Sequence, residues 1–261
     1  MIAVTHLPSP NLQACEKTYV PAASIDVAQA RVQHAAYCRL LAELGCEVLV
    51  LDCNELHADS TFVEDTAVIL DELAVLASMG TVSRRPETDP MRSILSRFRP
   101  LETIHLPATL EGGDVLRVGR LLLVGCSRRT NRTGIEALKG IVGRFGYEIL
   151  PVPVHGCLHL KTACTALPDG RLIVNPNWIE LTALSGWEVL AVADSEPWAA
   201  NLCLVGESII LPAEHEATAE MLRNLGAKIY PVPLSEFAKA EGGATCLSLL
   251  IPDSPAKTEG P

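Results

Sequence analysis

The sequence predicts an α/β chain folded as a ring of five ββαβ units closed by its own two termini, and three observations carry that expectation. Short turn signals flanked by apolar, strand-like runs recur at Asp71-Glu72, Gly119-Arg120, Asp169-Gly170 and Gly206-Glu207, at intervals of roughly 40 to 50 residues. Each hairpin is followed by an amphipathic stretch and then by one more apolar run. The fifth unit is split between the chain ends, and joining them completes it, which leaves no broad unpaired sheet edge.

In chain order, 2–6 reads as a lone strand, 26–44 as a long helix and 47–51 as the strand that follows it. Strands at 66–70 and 73–77 form the first hairpin, followed by a helix-like 91–98 and a third strand at 102–106. The second unit pairs 115–118 with 121–125, continues through a helix over 134–145 with Asn131 as its cap, and ends in 148–152. The third places strands at 162–167 and 172–175, an amphipathic 179–184 and a strand at 188–192. The fourth has 202–205 with 208–211, a helix over 217–225 and a strand at 228–232. The last strand, 245–251, has no helix after it and awaits the elements at the other end of the chain. Residues 1–252 read as a single domain; 253–261, polar and bracketed by proline, reads as a flexible tail.

Composition narrows the function. Asp plus Glu outnumber Lys plus Arg by 31 to 21, a formal charge of -10 in 261 residues, so a phosphate backbone or an anionic membrane is repelled and a cationic small molecule is attracted. Hydrophobic residues make up 48%, yet no run approaches the roughly 20 apolar residues of a membrane span, and the first ten residues lack a basic segment leading into an apolar one. A cytoplasmic protein is expected, with neither nucleic acid nor membrane as partner. The nine cysteines are odd in number, scattered and without a Cys-x-x-Cys pair, which argues against a disulfide framework and against a zinc ribbon.

In a ring of this kind the segments that lead into successive hairpins return to one end of the axis, and these segments carry the unusual polar residues: 59–65, 111–114, 159–161, Asn201 and 241–246. Taken singly each has a plain structural reading. Cys246 would be a small core filler, His159 a satisfied imidazole, Glu64 and Asp65 solvated acids or caps, and the pairs Gly112-Gly113 and Gly242-Gly243 tight turns. Their recurrence at equivalent points of a repeat favours one shared pocket. A thiol, an imidazole and several carboxylates suit nucleophilic substitution on a cationic carbon, and a guanidinium, planar and fork-donating to carboxylates, is the obvious electrophile. No metal is expected: Gly156 and the prolines at 151 and 153 deny His155 and His159 the helix that their spacing of four would need.

Six linked motifs then carry a family resemblance: Asp59-x-x-Phe62-Val63-Glu64-Asp65, Ser83-Arg84-Arg85-x-Glu87, Leu110-Glu111-Gly112-Gly113-Asp114-Val115, Arg129-Thr130-Asn131-x-x-Gly134, Leu158-His159-Leu160-Lys161 and Thr245-Cys246-Leu247-Ser248. In this order, through nearly the whole chain, they resemble the dimethylarginine dimethylaminohydrolase family of the guanidino-modifying (pentein) superfamily. The resemblance implies a five-bladed α/β propeller with pseudo-fivefold symmetry that converts asymmetric dimethylarginine or monomethylarginine to citrulline and a methylamine, without metal or organic cofactor. It implies Cys246 as nucleophile through a covalent thiouronium, His159 as the proton carrier, and Glu111 as the group fixing His159 and a guanidinium nitrogen. Asp65 would take the unsubstituted guanidinium edge, Asp59 and Glu64 the α-amino end or the order of the pocket, and Arg84 and Arg129 the α-carboxylate. The backbone at Ala240 and Glu241 would line the nucleophile loop, and Leu12 would gate a lid over 9–19.

Two departures stand out. Ser78-Met79-Gly80 replaces the family's usual Arg-Pro-Gly, which bears on loop stiffness, and Glu241 stands where the family often has Asp. The alternatives are hydrolysis or deimination of another guanidine, such as arginine, homoarginine or agmatine, and a noncatalytic propeller that binds a partner. Cys246 and His159 together weigh against the binding module; two arginines for a carboxylate weigh against agmatine. A homodimer is the assembly to test for.

Overall fold

The computed structural model describes residues 1–253. The chain opens with β1 (Ile2–His6), α1 (Val27–Glu43) and β2 (Glu47–Leu51), and β3 (Ala67–Ile69), β4 (Ala74–Leu76), α2 (Thr88–Leu95) and β5 (Leu101–Thr103) make the first complete unit. The second is β6 (Val115–Val118), β7 (Leu121–Cys126), α3 (Arg132–Val142) and β8 (Glu148–Pro153). A short helical turn α4 (Leu160–Ala163) enters β9 (Cys164–Ala166), β10 (Leu172–Val174) and β11 (Val189–Ala191). Then come β12 (Cys203–Val205), β13 (Ser208–Pro212), α5 (Glu216–Asn224) and β14 (Lys228–Val232), and finally α6 (Ser235–Ala238) and β15 (Leu249–Ile251).

These strands form five three-stranded sheets, β3-β4-β5, β6-β7-β8, β9-β10-β11, β12-β13-β14 and β15-β1-β2. In each, the middle strand runs antiparallel to the first and parallel to the third. The split unit closes as the sequence requires: Ile2 pairs with Ile251 on one side and with Glu47 on the other. The first strands of all five sheets line one cavity of about 240 Å³.

Strand alternation explains why the ring closes. Successive residues of a middle strand point to opposite faces, and here each face meets a different core. Leu122 and Val124 of β7 pack against β3, β4 and α3, while Leu123 between them packs against β9 and β10. Ile173 of β10 faces the β12–β13 sheet while Leu172 and Val174 face β7; Ala3 of β1 faces α1 and Val4 faces α2. Five apolar clusters thus fill the five gaps between neighbouring sheets, and no sheet has a solvated face along its middle strand.

Local chemistry sets the helix starts. Asp26 accepts from the Gln29 amide at 3.0 Å and caps α1, and Asn131 accepts from Gly134 N at 2.7 Å and caps α3, the cap expected for it. The expected strands 162–167 and 245–251 begin in helical turns, at 162–163 and 245–247, several other bounds shift by a few residues, and two larger expectations change. The Asp169-Gly170 hairpin has a three-residue loop, 168–170, closed by Leu167 N donating to Arg171 O, with Gly170 at φ 89°. The amphipathic 179–184 is only a 3-10 turn, Leu181–Leu184, because its gap is filled by Trp178 and Trp198, ring centroids 4.6 Å apart, with Trp187 beside them. Of the expected tail, only Asp253 lies within the described residues, where it pairs with the Met1 ammonium at 2.8 Å; the rest lies outside them. Among the described residues no helix is long and apolar enough to cross a membrane.

Candidate active site

Each unit enters its first strand through a tight turn, and these turns hold the reactive side chains. Glu64 and Asp65 sit on the 3-10 turn Val63–Thr66 ahead of β3, Glu111 precedes the turn Gly112–Asp114 ahead of β6, and His159 immediately precedes α4 ahead of β9. Asn201 lies just before β12, and Cys246 is on the turn Thr245–Leu247 ahead of β15. Hydrogen bonds tie the five entries together. Gly113 N donates to Asp65 Oδ1 (3.2 Å), Leu160 N to Asp114 Oδ1 (2.9 Å), Thr245 Oγ1 and Lys161 Nζ to Glu64 Oε1 (2.5 and 2.6 Å), and Thr245 N to Asn201 Oδ1 (3.1 Å).

His159 is buried between two acids, with Nε2 2.7 Å from Glu111 Oε2 and Nδ1 3.7 Å from Asp65 Oδ1. Burial alone would lower the imidazole's pKa, but Asp65, Glu111 and Asp114 outweigh it and raise it to about 9. Glu111 is held below the ordinary carboxylate range: burial opposes this, and the His159 bond and charge, with Arg84 and Arg129, prevail. Gly80 N (2.9 Å) and Arg129 Nη1 (3.4 Å) also donate to Glu111 Oε1. The unusual Ser78-Met79-Gly80 therefore keeps the one residue that the site uses, and a Cβ at Gly80 would lie 2.6 Å from the Arg129 carbonyl oxygen.

Cys246 is buried, and its Sγ accepts from Asn201 Nδ2 at 3.3 Å and Gly243 N at 3.5 Å. Burial, then Glu64 and Asp65, pushes this thiol up to about 12. Asp65, Glu111 and His159 also bring ligand atoms within 4.8 Å of one another, a set that could hold a metal ion. A metal there would have to displace the proton that the same two acids hold on the imidazole.

The remaining expected site residues fall into three groups. Arg129 is buried beside Glu111. Arg84 differs from its expected posture: it is 1% exposed, forks onto Glu87 through Nε and Nη2, donates from Nη1 to Asp65 Oδ2 at 2.7 Å and from Nη2 to the Phe62 carbonyl, so no two-pronged face is open for a carboxylate. Asp59 accepts from Glu16 N with both oxygens at 3.2 Å, and Glu241 accepts from the amides of Thr18, Tyr19 and Val20. Ala240 and Leu12 are buried in the apolar cluster that holds Cys246 and Phe62; Leu12 is fully covered, and the contacts of this segment with Asp59 and Glu241 are made farther on, by residues 16–20.

Sequence reasoning assigned no role to Glu87, Asp114, Lys161 or Asn201, although three of them stand inside the quoted motifs. Neither Gly-Gly pair is a left-handed turn, since none of the four has a positive φ. They are close approaches. A Cβ on Gly112 would lie 2.1 Å from the Glu64 carbonyl oxygen, on Gly113 2.9 Å from the His159 ring, on Gly242 2.3 Å from the Phe62 ring, and on Gly243 2.3 Å from the Asn201 side chain. Gly113→Ala must therefore displace His159 or Asp65. Overpacking of this kind costs about 1–3 kcal/mol, and a fall in kcat/KM of roughly 10- to 100-fold is expected with only a modest loss in melting temperature. Unchanged kinetics in Gly113→Ala would mean that His159 is not held where the chemistry needs it.

Residues 53–197 match the family model described as arginine deiminase. The N(G),N(G)-dimethylarginine dimethylaminohydrolase of Streptomyces coelicolor is 36% identical over 251 residues, covering 95% of this chain and 96% of that protein. The protein of the same name from Pseudomonas aeruginosa is 33% identical over 226 residues, 86% of this chain and 89% of that one. A solved structure of the Pseudomonas aeruginosa enzyme, a cysteine-to-serine mutant complexed with citrulline, superposes with a TM-score of 0.88 at 30% identity, covering 95% of this chain and 97% of that one.

Proposed function

The chain belongs to the dimethylarginine dimethylaminohydrolase family, and from that premise we propose that it hydrolyses asymmetric dimethylarginine or monomethylarginine to citrulline and a methylamine through a covalent adduct on Cys246. The observation that carries this reading is the buried His159 clasped between Glu111 and Asp65, on the same set of strand entries that carries Cys246 and whose turns are joined by Gly113–Asp65, Thr245–Glu64 and Thr245–Asn201 bonds. A guanidinium is a flat cation, and two buried carboxylates flanking a proton carrier are what it would bind.

In the proposed sequence the guanidinium displaces Arg84 Nη1 from Asp65 and pairs with Asp65 and Glu111. As the cation binds, Cys246 releases its proton to solvent, and the thiolate attacks the guanidinium carbon. His159, already protonated at neutral pH, gives its proton to the departing methylamine, and the adduct collapses to an S-alkyl thiouronium. His159, now neutral, takes a proton from water, whose hydroxide adds to the same carbon; the C–S bond breaks, the new hydroxyl's proton passes to the leaving thiolate, and citrulline leaves. One water is consumed and one amine released. Glu64, held by Lys161 and Thr245, keeps negative charge beside the thiol and orders the pocket.

The α-carboxylate falls to Arg129, while Arg84 stays forked on Glu87 and orders the pocket beside Asp65. Arg129→Ala is expected to raise KM by about 10- to 100-fold, the loss of one charge-assisted contact of about 1.5–3 kcal/mol, with a smaller change in kcat. Agmatine has no carboxylate; equal turnover of agmatine and monomethylarginine would overturn this assignment.

A second reading, deimination of free arginine, is favoured by the match to the arginine deiminase model. Citrulline formation measured side by side from asymmetric dimethylarginine, monomethylarginine and arginine separates the two, and no citrulline from either methylated substrate would refute the first. We propose that residues 1–252 act as one propeller domain. A cytoplasmic setting is supported by nine cysteines that are all free, and the homodimer is tested by sedimentation velocity.

A further inference from the structure

One carboxylate joins the segment 16–20 to the nucleophile loop. Glu241 is 4% exposed, and its Oε1 accepts from three successive amides: Thr18 at 2.5 Å, Val20 at 2.9 Å and Tyr19 between them. Its Oε2 is buried without a hydrogen-bond partner among the described residues. Glu241 also has φ 61°, the only positive φ at a non-glycine position among the described residues. A Cβ is disfavoured there and a glycine would be comfortable, so the strained backbone points to a task for this side chain. On the far side of the same segment, Asp59 accepts from Glu16 N, and Ser83 Oγ donates to Glu16 Oε1 at 2.5 Å.

We propose that Glu241 is a positioning residue that latches residues 16–20 onto the loop carrying Cys246 and so couples the order of the two. Three amide dipoles converging on one anionic oxygen form a nest, a charge-assisted arrangement stronger than neutral bonds. The coupling runs through the chain: Gly243, two residues on, presents its amide to Cys246 Sγ. Length matters, because an aspartate is one methylene shorter, about 1.5 Å, and from the same backbone would leave the Thr18–Val20 amides unbound. The effect on turnover rests on the hydrolase reading above; the latch itself does not.

The test is amide hydrogen exchange of the substrate-free protein, compared among wild type, Glu241→Gln, Glu241→Asp and Glu241→Ala. Exchange at Thr18, Tyr19 and Val20 should be at least about tenfold faster in the Ala and Asp variants, as expected for losing charge-assisted bonds, and intermediate in the near-isosteric Gln variant. KM for monomethylarginine should rise by about tenfold with kcat within about threefold of wild type, the signature of lost positioning rather than lost chemistry. Unchanged exchange in either truncated variant that melts as a folded protein overturns the latch, as does a collapse of kcat at constant KM. Because exchange is read without substrate, it decides the matter whichever guanidine the enzyme prefers.

Discussion

Cys246→Ser is expected to lower kcat by at least about 10⁴-fold while leaving the fold intact. The fold survives because the two donors that face the thiol, Asn201 Nδ2 and Gly243 N, face a hydroxyl equally well, so the new oxygen is buried with partners. Chemistry fails because a hydroxyl is far more basic than a thiol and the neighbouring Glu64 and Asp65 make its ionisation harder still. Mass spectrometry after a halo-amidine label should place the adduct on Cys246. Cys164 and Cys157 are the competitors: both are buried, and burial raises both thiols, Cys164 to about 12. Thiol basicity alone does not separate them from Cys246. What separates Cys246 is that the acids raising it are the ones a guanidinium would neutralise. A label on Cys157 or Cys164 in folded enzyme would sink the assignment.

The ring was legible because its signals are local. Gly119-Arg120 and Gly206-Glu207 are two-residue hairpins with glycine at φ 61° and 60°, a demand the sequence states outright, and the split unit follows from a strand without a helix at one end and both elements at the other. The missing helix at 179–184 was not legible, since the three tryptophans of the chain fill that gap and only the folded chain brings Trp178 onto Trp198. The site follows the same division. Residue types and order identified Cys246, His159 and Glu111 as candidates, whereas who pairs with whom across the ring is set by long-range contact. Glu241 meets Thr18 across 223 residues, and Gly113 needs to be glycine only because His159 and Asp65 come within reach of its Cα. Arg84 shows the limit most directly: the sequence offers a fork for a carboxylate, and the fold gives that fork to Glu87, three residues on.

The free enzyme should be nearly inert to neutral alkylating agents at pH 7 and far more reactive to cationic amidines. With its thiol pushed up to about 12, only about one molecule in 10⁵ is thiolate at pH 7, and reaction with iodoacetamide at Cys246 should rise by about tenfold per pH unit through the stable range. Burial, Glu64 and Asp65 create this barrier, and a bound cation lowers the part owed to the acids, so the substrate promotes the ionisation that its own attack requires. The sign can be crossed. Asp65→Asn removes one negative charge, which should lower the thiol pKa and speed iodoacetamide while slowing chloroacetamidine, because the cation loses its partner. In the same framework the alkaline fall of kcat/KM follows His159, protonated up to about 9, and a chelator should leave activity unchanged, because the thiol, the imidazole and the acids are each already used by the proposed chemistry. A Cys246 thiol half-alkylated by iodoacetamide with a midpoint near pH 6, or activity lost on dialysis against a chelator and restored by metal, would replace substrate-promoted ionisation with a preformed ion pair or a metal-bound nucleophile.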